Sequence, residues 1–158
     1  MKYPLETLPQ LAASKRRTFK QKLKSLKKMP TKEVDREIHQ LHEKAFARIN
    51  CLNCANCCKT TGPLFVPSDI ARISKKLGIK QKQFKQAYLR IDEDGDVVLQ
   101  SLPCPFLLED NTCSIYDIAP KACREYPHTD MVGQQKIFDL TIRNAAICPG
   151  VMEILDEL

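Results

Sequence analysis

Val34, Ile38, Leu41, Ala45 and Ile49 recur at i, i+4, i+7, i+11 and i+15. That spacing lines one face of an α-helix and predicts an amphipathic helix that delivers the chain directly to Cys51. Upstream, Leu11, Phe19, Leu23 and Leu26 form a thinner apolar stripe through a polar, basic segment, a first helix that Pro30 ends. Thr31 is placed to cap the second helix, with Glu33 in its first turn where the helix dipole favours an acid. Downstream, Pro67-Ser68-Asp69 reads as a helix start, Ile70, Ile73 and Leu77 as its apolar face and Gly78 as its stop. A short helix carrying Phe84, Ala87 and Tyr88 follows. Asp94-Gly95, flanked by β-favouring residues between Ile91 and Gln100, signals a hairpin. A second turn is expected at Glu109-Asp110-Asn111, a short helix from Pro120 through Cys123 and Arg124, and a last helix bearing Val151, Ile154, Leu155 and Leu158.

These elements predict an α-rich α+β fold: a small cysteine-cluster domain with short β-hairpins and two N-terminal helices. The expected division is a basic helical arm over residues 1–47 and a metal-binding domain over 48–158. Charge sharpens the contrast. Residues 1–30 carry nine Lys and Arg against the single acid Glu6, although the whole chain is only +6. The remainder is therefore slightly acidic, and the basic character belongs to the arm. Clustered cations can neutralise phosphates, so residues 1–30 are a candidate contact for nucleic acid or another acidic partner. The first ten residues lack the apolar run of a secretory signal, and no stretch reaches the ~18 apolar residues of a membrane span. A cytoplasmic location is the expectation.

With 6% aromatic residues and no Trp, the core has few large packing groups. Eight cysteines change the picture. Cys51, Cys54, Cys57 and Cys58 fall within eight residues, and Cys104, Cys113, Cys123 and Cys148 follow. In a reducing compartment grouped thiols bind metal more often than they form disulfides. Metal ligation would also supply folding free energy that so modest a core does not. Thiolates are soft ligands that favour zinc and iron–sulfur clusters. Cys51, Cys54 and Cys57 form a CxxCxxC run similar to the first three ligands of a bacterial ferredoxin cluster, and Cys104-Pro105 and Cys148-Pro149 are similar to its Cys-Pro ligand. Both dipeptides lie far from the run, however. Zinc would use four tetrahedral ligands, often as two close pairs, and here there is no second CxxC. Eight thiols suffice for two four-cysteine sites, or for one cluster and a remainder.

The other candidates are subordinate. His39 and His42 lie one helical turn apart but lack an H-E-x-x-H context. His128 is placed to support the site from outside the ligand set. Lys59, Lys121 and Arg124 flank cysteines and could offset the charge of a thiolate-bound metal. Tyr116 and Tyr126 are expected to pack around it. No residue is assigned a catalytic role.

The motifs Cys51–Cys58, Cys104-Pro105-Phe106-Leu107, Cys113-Ser114-Ile115-Tyr116 and Cys123-Arg124-Glu125-Tyr126-Pro127, in that order, resemble the YkgJ-like CxxCxxCC cysteine-cluster family over roughly residues 48–150. Two positions depart from its pattern: Ala55 stands where Gly is common after the second cysteine, and Ala119 stands before Pro120 where Arg is usual. The resemblance implies chelation of zinc or iron, as an ion or an iron–sulfur cluster such as 4Fe-4S, through Cys51, Cys54, Cys57, Cys58, Cys104, Cys113, Cys123 and Cys148. A related cysteine block in flagellin lysine methylases makes a cluster-dependent redox or methyl-transfer enzyme the alternative. The chain has no G-x-G-x-x-G or other nucleotide motif, so a metal-binding module is the primary reading.

Overall fold

The computed structural model describes all 158 residues. In chain order the elements are α1 (Leu8–Leu26), α2 (Thr31–Phe46), α3 (Cys51–Cys54), α4 (Asn56–Thr60), α5 (Pro67–Leu77), α6 (Gln81–Tyr88), β1 (Leu89–Ile91), β2 (Val97–Leu99), α7 (Lys121–Glu125), α8 (Phe138–Asn144) and α9 (Pro149–Glu157). The α-rich α+β class expected from the sequence is what forms. The chain divides into two compact units, one of residues 1–54 with 127–158 and the other of residues 55–126. No helix is long and apolar enough to cross a membrane.

The first unit is helical and organised on α9. That helix packs with α1, α2 and α8, and every residue from Pro149 to Leu155 is buried. A helix covered on all sides has no solvent face to spend on charges, yet Glu153 lies within it. Its carboxylate is held by Arg48 at 2.7 Å and by the backbone N–H of Lys2 at 3.2 Å, which meets the requirement that a buried charge be paired. The predicted stripes turn inward: Phe19, Leu23 and Leu26 from α1, and Val34, Ile38 and Ala45 from α2, are buried. Thr31 does not cap α2. It is the first helical residue, and its hydroxyl donates to Gln135 Oε1 at 2.8 Å, while Pro30 occupies the cap position and Glu33 the first turn. Helix α8 has no counterpart in the sequence reading.

Gly150 lets α9 approach α2. A Cβ there would stand 2.6 Å from Phe46 Cζ and 2.9 Å from Cε2. The Phe46 ring is itself packed against His42, with centroids 4.5 Å apart, so it has little room to yield. Gly150→Ala is expected to cost about 1–3 kcal/mol by overpacking, read as a lower urea midpoint, with Phe46→Leu in the same chain recovering part of the loss.

The second unit has the predicted hairpin at its centre. β1 and β2 pair antiparallel with Leu89 opposite Leu99 and Ile91 opposite Val97. Gly95, at φ 85°, makes the turn, and Asp92 Oδ1 accepts the N–H groups of Asp94 and Asp96 across it. Phe65, Ile70, Ile73, Phe84, Leu89, Leu99, Phe106 and Ile115 form one buried cluster, against which Cys104 and Cys113 pack. Gly78 ends α5 in the left-handed conformation, as its position predicts. The turn at residues 109–111 forms with Asn111 at φ 64°, but the flanking segments meet in a single bridge, Leu107 to Cys113, and not in a second full hairpin.

Candidate metal centre

The cysteine block is folded as two one-turn helices. α3 carries Cys51 and Cys54, α4 carries Cys57 and Cys58, and Ala55 between them has φ 47° and ψ 18°. This left-handed backbone costs an L-residue roughly 1–2 kcal/mol, a cost that glycine would not carry. Ala55→Gly is expected to raise stability by about 1 kcal/mol, some 3 °C in Tm for a chain of this size, as thermal denaturation would show.

The second unit brings Cys58, Cys104, Cys113 and Cys123 together. Cys57 Sγ and Cys58 Sγ are 4.0 Å apart. The Cys104 loop is tied to α4 by its own N–H, which donates to the Cys58 carbonyl at 2.8 Å. Cys113 lies opposite Leu107 in the bridge that closes the 104–113 loop, and Cys123 sits in α7. The position of α7 is fixed from α5. Asp69, buried at 1% exposure, accepts the Lys121 N–H at 3.2 Å and the Arg72 guanidinium at 2.6 Å. Arg72 also donates to the carbonyls of Ile118 at 3.2 Å and Ala119 at 2.9 Å. A guanidinium thus reaches the Ala119 backbone from α5. Sequence reasoning missed Arg72. The available signal was its place one turn after Asp69 on a helix whose start was legible.

Electrostatics shows the same grouping. The Cys58 thiol is brought down to about 7, first by its hydrogen bond with Cys57 and then by the Lys59 charge, against the opposing effect of burial. Burial pushes the Cys104 and Cys113 thiols up, and the charge of Cys58 adds to this in both. Backbone N–H groups act the other way, those of Phe106 and Leu107 at Cys104 and that of Ile115 at Cys113. Cys123 keeps solvent contact. Even so, crowding by protein atoms and then by Cys58, Cys104 and Cys113 raises its thiol. The sulfurs of Cys104, Cys113 and Cys123 therefore each sense Cys58.

In the first unit Cys148 occupies the N-cap position of α9, where the N–H groups of Gly150 and Val151 act on its thiol. Burial pushes its thiol up to about 12, the two N–H groups oppose this, and Cys51 and Cys54 add a smaller upward push. Cys51 is exposed and Cys54 buried. The eight thiols are therefore distributed as Cys51, Cys54 and Cys148 in one unit and Cys57, Cys58, Cys104, Cys113 and Cys123 in the other. All eight are unbridged by disulfides.

Among the remaining candidates, His39 approaches Glu43 at 3.3 Å. His42 bonds Thr129 Oγ1 at 2.8 Å, and burial holds its pKa below the ordinary value. His128 has φ 70°, and its carbonyl accepts a hydrogen bond from Gln134 Nε2 at 2.6 Å. The Lys59 charge lowers the Cys58 thiol, whereas Lys121 pairs with Glu125 at 3.0 Å. Tyr116 does not pack around the site: it is 75% exposed. The Tyr126 hydroxyl is buried.

The donor set suits a thiophilic metal. It is all sulfur within each group, and backbone N–H groups aimed at Cys104, Cys113 and Cys148 stabilise thiolate over thiol. As the side chains stand, no three Cys, His, Asp or Glu groups close into a cage around one ion. No curated protein and no solved structure matches the chain. A family model described as a putative zinc- or iron-chelating domain matches residues 50–149, a span that contains all eight cysteines, and the chain belongs to this CxxCxxCC family.

Proposed function

We propose that the protein is a metal-binding module in which Cys58, Cys104, Cys113 and Cys123 hold an iron–sulfur cluster, and Cys51, Cys54 and Cys148 form a second, separate sulfur group. The observation that carries this reading is that residues 55–126 gather four of the thiols: the Cys104 N–H bonds the Cys58 carbonyl at 2.8 Å, Cys113 closes the 104–113 loop opposite Leu107, and the charge of Cys58 is felt at Cys104, Cys113 and Cys123. Four thiolates are the ligand complement of a cubane cluster, and N–H groups directed at its cysteine sulfurs tune its potential. Cys57 stands against Cys58 and can shift that thiol's charge without itself completing the set. The intervals between these ligands belong to long loops, not to the close pairs of a zinc ribbon, which favours the cluster over zinc. A cytoplasmic setting would keep the thiols reduced and available.

Anaerobic purification, a visible spectrum, and iron, sulfide and zinc quantification on one sample test the proposal. A brown protein with a broad band near about 400 nm and acid-labile sulfide is the expected result. A colourless protein with stoichiometric zinc would replace the cluster by zinc at the same thiols. Eight titratable thiols with neither metal would overturn chelation.

A further inference from the structure

Independently of the thiols, one face of α1 is built as a cationic surface. No Asp or Glu occurs from Thr7 to Lys32, while the same stretch holds nine Lys and Arg. The structure sorts the cations of α1 into two sets. Lys15 and Lys22 turn towards the C-terminal end of α9. Lys15 Nζ lies 2.7 Å from both carboxylate oxygens of Asp156, and Lys22 Nζ donates to the carbonyls of Leu155 at 3.0 Å and Asp156 at 2.7 Å. These two are consumed by the fold, where cations offset the negative end of a helix.

Arg16, Arg17, Lys20 and Lys24 point the other way. They are exposed, take part in no ion pair, and line a shallow hollow with Ala13 and Gln21 between them. Their positions at i, i+1, i+4 and i+8 keep them on one side of the helix, and Lys27 and Lys28 extend the charge into the following turn. From Arg16 to Lys27 the face runs roughly 16 Å at the helical rise, about the axial length of five base pairs.

The chemistry of this face selects among polyanions. Its apolar neighbours Leu8, Ala12, Phe19, Leu23 and Leu26 are all buried, so α1 has no apolar side to insert at a lipid surface. Nor has it an exposed ring on which an unpaired base could stack, since Phe19 is 1% exposed. What remains is a rigid row of guanidinium and ammonium groups, which matches closely spaced phosphates. We propose that this face docks on the phosphate backbone of duplex nucleic acid without reading its bases.

Fluorescence anisotropy of the purified full-length protein with a labelled random-sequence 20-base-pair duplex tests this, with a single strand of equal length and vesicles containing phosphatidylserine as comparisons. Four neutralised phosphates predict a log–log salt slope of about −3.6, an affinity loss of roughly 50-fold between 50 and 150 mM salt. Arg16→Gln, Arg17→Gln, Lys20→Gln and Lys24→Gln together are expected to flatten that slope and weaken duplex binding at least tenfold at low salt. Glutamine is well tolerated in helices, and unchanged circular dichroism and metal content would show that the variant is folded. Lys75→Gln with Lys76→Gln, on α5, should leave duplex binding unaltered. Absence of salt-dependent duplex binding, equal binding by the fourfold variant, or capture by the anionic vesicles alone would each overturn the proposal.

Discussion

Cys123→Ala is expected to empty the sulfur centre of residues 55–126 while leaving the metal behaviour of Cys51, Cys54 and Cys148 intact. Cys123 is the thiol supplied by α7, and the other three thiols proposed to share its centre come from α4 and the 104–113 loop. A four-thiolate site that loses one member keeps three sulfurs and an open position, through which the ion or cluster exchanges with chelators. Metal stabilises the folded state by mass action, about 2.7 kcal/mol when free metal exceeds its Kd a hundredfold. The variant should therefore lose at least that much of the stabilisation produced by loading, with little change in the metal-free protein, because Cys123 keeps solvent contact. Metal per chain and the chelator-dependent fall in Tm measure this. Cys51→Ala, in the other group, supplies the comparison. If either substitution strips all metal equally, the eight thiols serve one centre and the division into two is wrong.

How much of this was legible in the sequence depended on where each signal was stored. Amphipathic periodicity is local, so Val34, Ile38 and Ala45 marked α2, and Ile70, Ile73 and Gly78 marked α5. Turn chemistry is also local, and Asp94-Gly95 placed the hairpin. Helix α8 escaped because its buried side mixes Phe138 and Ile142 with Thr141 and Asn144, and two polar residues among four erase the apolar period. Asn144 is there to bond the Pro127 carbonyl at 3.3 Å, a contact across seventeen positions that no window can anticipate. The cysteine block was visible as chemistry and illegible as shape. Four- and five-residue helices are too short to carry a period, and the break between them lies in the φ of Ala55. Which thiols share a centre is a tertiary property: Cys58 is brought to Cys104 by one backbone hydrogen bond, and Cys123 is positioned through Asp69 and Arg72.

Phe84→Ala should be the most damaging single truncation in residues 55–126, and its effect should depend on metal. Phe84 is fully buried and its ring lies 6.1 Å from Phe65, 5.2 Å from Tyr88 and 6.3 Å from Phe106, centroid to centroid. Removing it loses the burial of the ring and leaves a cavity among partners that are themselves aromatic and cannot collapse into it, a cost of about 3–5 kcal/mol. Such a loss is a large fraction of the stability of a small domain. The same cluster supports the thiols. Phe106 lies two residues after Cys104 and Ile115 two residues after Cys113, and both are in the cluster against which those cysteines pack. The N–H groups of Phe106 and Ile115 are among those that face the two sulfurs. Core and thiols thus share one set of residues, so metal bound at the proposed centre would supply part of the free energy that orders the core. The metal-free variant is expected to show lost protection of residues 55–126 in hydrogen exchange, and loading should restore a substantial part of it. Residues 1–54 and 127–158, with their own core on α9, should stay protected throughout. Protection lost equally across the whole chain would mean that the two units unfold as one and that the aromatic cluster supports more than its own thiols.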